Sequence, residues 1–186
     1  MEKSLVLIKP DGVYRALTGR IISRFEDAGF KITAMKMLIP ERKLVEKHYD
    51  SLRRNDEWLN SVGSKLKGKD GISNKTEREL GLTVWNQLVD YLSGKPIIAM
   101  VIEGNEVVSS IRKIVGSTEP KSAEPSSLRG SLSNDSYGLA NASNRPIRNI
   151  IHASSSVSDA EEEINVWFKK EEILDYERAD ERIQYY

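Results

Sequence analysis

Cysteine is absent from this chain of 186 residues, which removes disulfides, thiolate nucleophiles and cysteine metal sites together. Only two histidines are present, His48 and His152, and their separation in sequence argues against a histidine-rich zinc site. Neither sign of charge is in excess: 28 lysines and arginines meet 28 aspartates and glutamates. A dedicated nucleic-acid binder draws its affinity from a basic surface, so that class is disfavoured. A local basic pocket for a small phosphorylated ligand stays open. No apolar run approaches the roughly 18 residues of a membrane-spanning helix. The segment Met1-Glu-Lys-Ser-Leu-Val-Leu-Ile8 passes straight into a strand pattern, and its apolar run is too short for the core of a signal peptide. The expectation is a cytoplasmic protein with no membrane attachment. Also missing are G-x-x-x-x-G-K-[ST] and G-x-G-x-x-G, so any bound phosphate must be held by side chains.

What is present alternates between two periods. Leu5–Ile8 reads as a buried strand closed by Lys9 and the turn signal Pro10-Asp-Gly12. Leu17, Ile21, Ile22 and Phe25 recur at helical spacing up to Gly29, predicting a helix over about 18–28. Residues 30–39 alternate as a second strand; Pro40 ends it and opens a helix through Leu44, His48 and Leu52. Residues 53–95 are polar and punctuated, with a helical stripe at Val84, Leu88, Tyr91 and Leu92. They carry too few apolar residues to fold alone and read as an elaboration. Pro96–Ile102 is the clearest strand, followed by a helix over 105–115. From Ser117 to Arg148 the composition is that of a long loop, functional or mobile. Asn149–His152 reads as the fourth strand, with Ile150, His152 and Ser154 on one face. Ser158-Asp-Ala-Glu161 has the form of a capping box opening a helix through Ile164, Trp167 and Phe168. The charged tail 171–186 is expected to wrap the surface. The order β-α-β-(α)-β-α-β-α suits an α+β sandwich with a ferredoxin-like βαββαβ core, an antiparallel sheet with helices packed on it. One domain over 1–186, with insertions at about 55–92 and 131–146, is the expected organisation.

Several side chains admit two readings. His152 follows two isoleucines, as either a ring satisfied by a neighbouring carbonyl or a reactive nitrogen on a rigid support. Lys9, at the end of the first strand, is either a snorkelling surface lysine or a phosphate ligand. Arg112, Thr118 and Arg129 would bind a polyphosphate together by charge-assisted hydrogen bonds, or are unrelated surface groups. In the run Glu161-Glu-Glu163, only Glu163 lies beside the inward stripe of Ala160, Ile164 and Trp167. It is either part of a solvated acidic face or a carboxylate that fixes the tautomer of His152 and leaves the other ring nitrogen nucleophilic.

Lys9-Pro-Asp-Gly-Val13, His48-Tyr49, Arg112, Gly116-x-Thr118-x-Pro120, Arg129-Gly130 and Arg148-Asn-Ile-Ile-His-Ala-Ser154, in this order, resemble the nucleoside diphosphate kinase family. The resemblance spans nearly the whole chain and implies a ferredoxin-like core. It also implies γ-phosphate transfer from a nucleoside triphosphate to a nucleoside diphosphate, by a ping-pong route through phosphorylated His152. By the same resemblance Lys9 and Asn149 would contact the sugar hydroxyls, with Lys9 also near the transferred phosphate. Tyr49 would lie beside the histidine, Arg112, Thr118 and Arg129 would grip the phosphates, and Ser154 and Glu163 would orient the ring. Trp58 is the candidate for stacking on the base, which would tolerate several bases. Mg2+ would be carried on the nucleotide phosphates, with no metal ligand from the protein. Partners implied are nucleoside di- and triphosphates and further copies of the chain, in a tetramer or hexamer built from dimers; no nucleic acid is required.

The chain departs from the family pattern in placing Ala153 where glycine is usual and Ser155 where aspartate is usual. Its long loop reads Pro125-Ser-Ser-Leu-Arg-Gly-Ser131 where P-G-T-I-R-G-D is usual. Three rival readings remain: an RNA-binding module of the same strand order, an inactive relative acting as an interaction protein, and a phosphocarrier charged by another protein. The first is opposed by the near absence of aromatics from strands 30–39 and 96–102, where only Phe30 occurs. Retention of the whole motif set opposes the second, and the separated phosphate-gripping residues favour a nucleotide donor over the third.

Overall fold

Leu5–Ile8 and Ile97–Ile102 are apolar at every position because the strands they build are covered on both faces. The computed structural model describes residues 1–70, 74–181 and 183. Its sheet comprises β1 (Glu2–Ile8), β2 (Lys31–Leu38), β3 (Ile97–Gly104) and β4 (Ile151–Ala153), in the order β2-β3-β1-β4 with each neighbouring pair antiparallel. The helices in chain order are α1 (Pro10–Tyr14), α2 (Thr18–Glu26), α3 (Arg42–His48), α4 (Asp50–Arg54), α5 (Asp56–Asp70), α6 (Glu77–Leu92), α7 (Val107–Val115), α8 (Leu128–Leu132), α9 (Tyr137–Ala142) and α10 (Val157–Trp167).

The period of two along the strands divides the core into two layers. Val6, Ile8, Ile98, Met100 and Ile102 face the crossover helices, meeting Ile21 and Phe25 of α2 and Val107, Val108, Ile111 and Val115 of α7. Leu5, Leu7, Ile97, Ala99 and Val101 face the other way, onto Val45 of α3, Trp85 and Val89 of α6, and Ile164 and Trp167 of α10. This is the expected ferredoxin-like α+β arrangement, and it puts α3 and α10 on the same face of the sheet.

Five local expectations are corrected. The helix expected to run from Pro40 through Leu52 is broken at Tyr49, which leaves helical geometry with ψ at 12°. There the Tyr49 carbonyl accepts the indole N–H of Trp85 at 2.8 Å as well as Arg53 N–H at 3.2 Å. The polar stretch after residue 53 is a helical hairpin, α5 against α6, in which Trp85 and Val89 face the core while Val84 and Leu88 line a cleft. Residues 117–148 are not structureless: α8, α9 and a 3-10 turn at Pro120–Ser122 are tied down by Asp135. Its carboxylate accepts from both Arg145 terminal nitrogens at 2.6 and 2.9 Å and from Arg148 N–H at 2.7 Å. The cap of α10 is Ser156, whose hydroxyl accepts Asp159 N–H at 3.1 Å, so Ser158 and Glu161 form no capping box. The fourth strand starts only at Ile151, and the reason lies in the site described below.

The tail lies along the outer edge of β2, as far as it is described. Leu174 N–H donates to Thr33 O at 2.8 Å, Tyr176 O–H to Ile32 O at 3.0 Å, and Arg178 to Phe30 O at 2.8 Å.

The α5–α6 hairpin depends on two glycines. A Cβ at Gly63 would overlap the carbonyl oxygen of Glu77, and one at Gly81 would overlap that of Leu59. Backbone touches backbone at this crossing, leaving no room for a side chain. Gly81→Val is therefore expected to lower stability by about 1–3 kcal/mol. In urea titration the midpoint should fall with little change in slope; an unchanged midpoint would mean that the helices are not in contact.

Candidate active site

Where β1 ends, Lys9 precedes α1, which starts with Pro10 at its first helical position. Asp11 then reaches across to the strand that carries His152. Its Oδ2 accepts Ile150 N–H at 3.0 Å, while Lys9 N–H donates to the Ile150 carbonyl at 2.8 Å. Ile151 N–H closes back on Asn149 O at 2.7 Å, making a γ-turn centred on Ile150 with φ at 57°. A β-branched residue in this region is strained by about 1–3 kcal/mol, and the two bonds from the Lys9–Asp11 turn hold it there. Gly12 permits the approach, since a Cβ there would lie 2.9 Å from the Ile150 carbonyl oxygen. The turn breaks the expected alternation. Ile150 and Ile151 both enter the α2–α7 core layer, and His152, opposite Leu7 of β1, faces the layer of α3 and α10.

Three cationic groups gather beside that turn. Lys9 is buried, and its Nζ donates to Asn149 Oδ1 at 2.7 Å. Burial, together with the nearby Arg129 charge, lowers its pKa to about 8, although Asp11 works the other way. Asn149 in turn donates from Nδ2 to the Thr118 carbonyl at 2.9 Å. Arg129 donates to three backbone carbonyls, Gly116 and Ile151 at 2.8 Å each and Asn149 at 3.3 Å. Burial is the main reason its pKa falls to about 10, and Arg112 adds to the lowering. Gly116, at φ 85°, makes the turn that brings Ser117 and Thr118 to the cleft. Arg112 and Thr118 are exposed on the cleft wall.

His152 is held from the other side. Its Nε2 lies 2.9 Å from Glu163 Oε1, and Ser154 Oγ donates to Glu163 Oε2 at 2.6 Å. Ser154 Oγ is itself fixed by Leu5 N–H at 3.1 Å. Burial alone would raise the Glu163 carboxyl. The charge and hydrogen bond of His152, with His48 and Ser154, outweigh it and hold the pKa below the ordinary value. An ionised carboxylate only accepts, so Nε2 is the donor and the lone pair of His152 resides on Nδ1. Ser155, at the position where aspartate was expected, donates to Asp159 of α10.

The residue that local reading passed over is His48. Its ring meets His152 edge-on at 4.7 Å between centroids, with Tyr49 at 4.6 Å on its other side and Trp167 at 5.6 Å. Both histidines of the chain therefore stand together despite their separation in sequence. Burial, followed by the proximity of His152, lowers the His48 pKa to about 3, so the ring is neutral. Tyr49 is buried beside it, with its hydroxyl pKa pushed up by burial.

Lys9, His48, Tyr49, Trp58, Arg112, Thr118, Arg129, Asn149, His152 and Glu163 all line one cleft of about 1140 Å³. The same cleft is lined by apolar side chains of the helical hairpin, Trp58, Val62 and Leu66 of α5 and Val84 and Leu88 of α6. Cations, an apolar group and a tautomer-locked histidine in one cleft are the furniture of a phosphotransferase.

Comparison with known proteins narrows the class. The sequence model of the family described as nucleoside diphosphate kinase matches residues 2–68 and 73–173. A nucleoside diphosphate kinase of Pyrobaculum aerophilum is 42% identical over 186 aligned positions, covering 94% of this chain and 99% of that one. The solved structure of an NDP kinase from that organism superposes with a TM-score of 0.86. A transition-state mimic of the Borrelia burgdorferi nucleoside diphosphate kinase, with bound vanadate and ADP, is 39% identical with a TM-score of 0.80, covering 97% of this chain and 94% of that one. The chain belongs to the nucleoside diphosphate kinase family. It is a phosphotransferase that moves a γ-phosphate from a nucleoside triphosphate to a nucleoside diphosphate through a phosphohistidine, with a divalent metal carried on the nucleotide.

The Asp11 bond is testable on its own. Asp11→Ala leaves the buried Ile150 N–H without an acceptor, which costs about 1–3 kcal/mol. A lowered thermal midpoint and slower phosphotransfer are the expected results. Unchanged values for both would show that Asp11 does not hold the turn.

Proposed function

We propose that His152 is the phosphoryl carrier of this kinase, with Nδ1 as the attacking atom. The observation that carries the reading is the Glu163 carboxylate on Nε2, which keeps the Nδ1 lone pair available throughout the cycle. Nδ1 attacks the γ-phosphorus, the bond from phosphorus to the bridging oxygen breaks, and the nucleoside diphosphate leaves. A second nucleoside diphosphate then attacks the phosphohistidine and regenerates the free ring. Glu163 retains the Nε2 proton in both half-reactions, so no proton has to enter or leave the ring. Exchange between two anhydrides is nearly thermoneutral, and an N-phosphoryl imidazole is energetic enough that neither half-reaction becomes a trap. What the protein must supply is position and charge neutralisation.

Lys9, Arg112, Thr118 and Arg129 bind the phosphates in this reading, and Lys9 and Asn149 bind the sugar. Trp58 stacks on the base, Tyr49 helps hold the phosphoryl group, and Ser154 and Glu163 orient the ring. Mg2+ rides on the phosphates and neutralises part of their charge. The phosphate end of the cleft, lined by Lys9, Arg112, Thr118 and Arg129, offers cations and a hydroxyl in place of a carboxylate cage, which suits a metal held by the nucleotide. The whole chain acts as one catalytic domain in the cytoplasm, with 55–92 and 131–146 as elaborations of the cleft wall. Self-association, as dimers stacked into a tetramer or hexamer, belongs to the same reading. The exposed apolar row Met35, Met37 and Ile39 on and just past β2 supports it.

Incubation with γ-labelled ATP and magnesium should yield an acid-labile, base-stable phosphoprotein whose label passes to added GDP. His152→Ala should take up none. Label retained in that variant, or none in the native protein, would overturn the assignment. Glu163→Gln should slow labelling by about 10²-fold through misplacement of the ring.

A pH dependence follows from Lys9. Its charge is present below its pKa of about 8 and lost as pH rises through that value. Because kcat/KM reports ionisations of the free enzyme, it should fall on the alkaline side of about 8. Lys9→Gln should be much less active, and its residual rate should lack that limb.

A further inference from the structure

His48 has no role in the transfer just described, yet it is the most unusual polar group in the chain. Its side chain is fully buried, and neither ring nitrogen has a hydrogen-bond partner. An imidazole buried in this way forfeits about 1–3 kcal/mol unless something binds it. It is not isolated from other donors. Nδ1 of His48 lies 3.9 Å from Glu163 Oε1, the same oxygen that meets His152 Nε2 at 2.9 Å. Ligand atoms of His48, His152 and Glu163 all fall within 4.8 Å of one another, and all three residues line the cleft.

We propose that His48, His152 and Glu163 form a binding site for a divalent transition metal such as Zn2+, distinct from the magnesium carried on the nucleotide. Ligands that sit 2.0–2.2 Å from a tetrahedral ion are about 3.3–3.6 Å from each other. The separations of Glu163 Oε1 from the two rings, 2.9 and 3.9 Å, bracket that range, and all three ligand atoms lie within 4.8 Å, so binding an ion requires the side chains to draw together. Two imidazoles and one carboxylate are a donor set that suits zinc and leaves a fourth position for water or a phosphate oxygen facing the cleft. A hard ion such as Mg2+ prefers an oxygen cage and gains little here. On binding, the ion replaces the Nε2 proton of His152, which passes to solvent, and takes Glu163 as its own ligand. Ser154, already hydrogen-bonded to the other Glu163 oxygen, orients that carboxylate.

The consequence for the kinase is inhibition. A dication on Nε2 withdraws electron density from the ring where a carboxylate had supplied it, and Nδ1 becomes a poorer nucleophile. That consequence rests on His152 being the phosphoryl carrier; the binding itself rests only on the three ligands.

The chain's composition makes the test clean, because it has no cysteine and its two histidines are both in this cluster. Metal-free full-length protein, without nucleotide, is titrated with Zn2+ and separately with Mg2+ by calorimetry. Co2+ is then added for its visible spectrum. One Zn2+ per chain should bind, Mg2+ should not compete, and Co2+ should give the intense absorption of a four-coordinate ion. His48→Phe, which keeps a ring in the space, and His152→Asn, at a partly exposed position, should each weaken Zn2+ binding by more than the 10–100-fold that loss of an outer-shell partner costs. Should His48→Phe fail to fold, His152→Asn decides. Absence of stoichiometric Zn2+ binding, a weak octahedral Co2+ spectrum, or equal affinity in a folded variant would each overturn the site. Zn2+ should also block labelling of the native protein by γ-labelled ATP, and a chelator should restore it. Binding without this block would leave the metal site standing and count against His152 as carrier.

Discussion

One carboxylate joins the two halves of the site. Glu163 belongs to α10, and both its oxygens are engaged, one by His152 of β4 and the other by Ser154 just past it. Because Ser154 is also bonded to the backbone of β1, ring, helix and central strand form one rigid unit. A histidine on a three-residue strand would otherwise be poorly supported. The carboxylate also sets the ring's chemistry, since its charge decides which nitrogen carries the proton.

A second constraint runs from the opposite side of the cleft. The Lys9–Asp11 turn holds Ile150 in a left-handed conformation, so Ile150 joins Ile151 in one core layer while His152 alternates to the opposite face. Arg129 then fastens the same segment by its carbonyls. Burying Lys9 and Arg129 without carboxylate partners keeps their charges costly in the free protein, as their depressed pKa values show. Buried cations of this kind would be stabilised by an anionic ligand, which is the part the proposed reading gives to the incoming phosphates. The three carbonyl bonds of Arg129 engage three of its five N–H groups, leaving donor capacity beyond the backbone.

Much of this could be read along the chain because the chemistry is written in short motifs. Strands β1 and β3, the crossover helices α2 and α7, and the inward placement of Glu163 follow from local period alone. Elsewhere long-range contacts override local pattern. The strand expected over Asn149–His152 fails at Ile150 because its N–H is claimed by Asp11, 139 residues earlier. The helix after Pro40 breaks at Tyr49, whose carbonyl also receives the indole N–H of Trp85, 36 residues later. Residues 117–148 look unstructured by composition, but the buried Asp135 supplies their order through Arg145 and Arg148. His48 was legible as one position of a helix and as half of the His48-Tyr49 motif; that it would stand against the other histidine depends on how α3 and β4 are placed by the fold.

The tail along β2 has a consequence for solubility. An open sheet edge offers unpaired backbone groups to any other strand, and such edges template aggregation. Here the carbonyls of Phe30, Ile32 and Thr33 are already occupied by the chain's own residues 174–178. The opposite edge, β4, is only three residues long. The start of one edge is thus covered and the other edge is short, which limits strand addition without the sheet having to curl into a barrel.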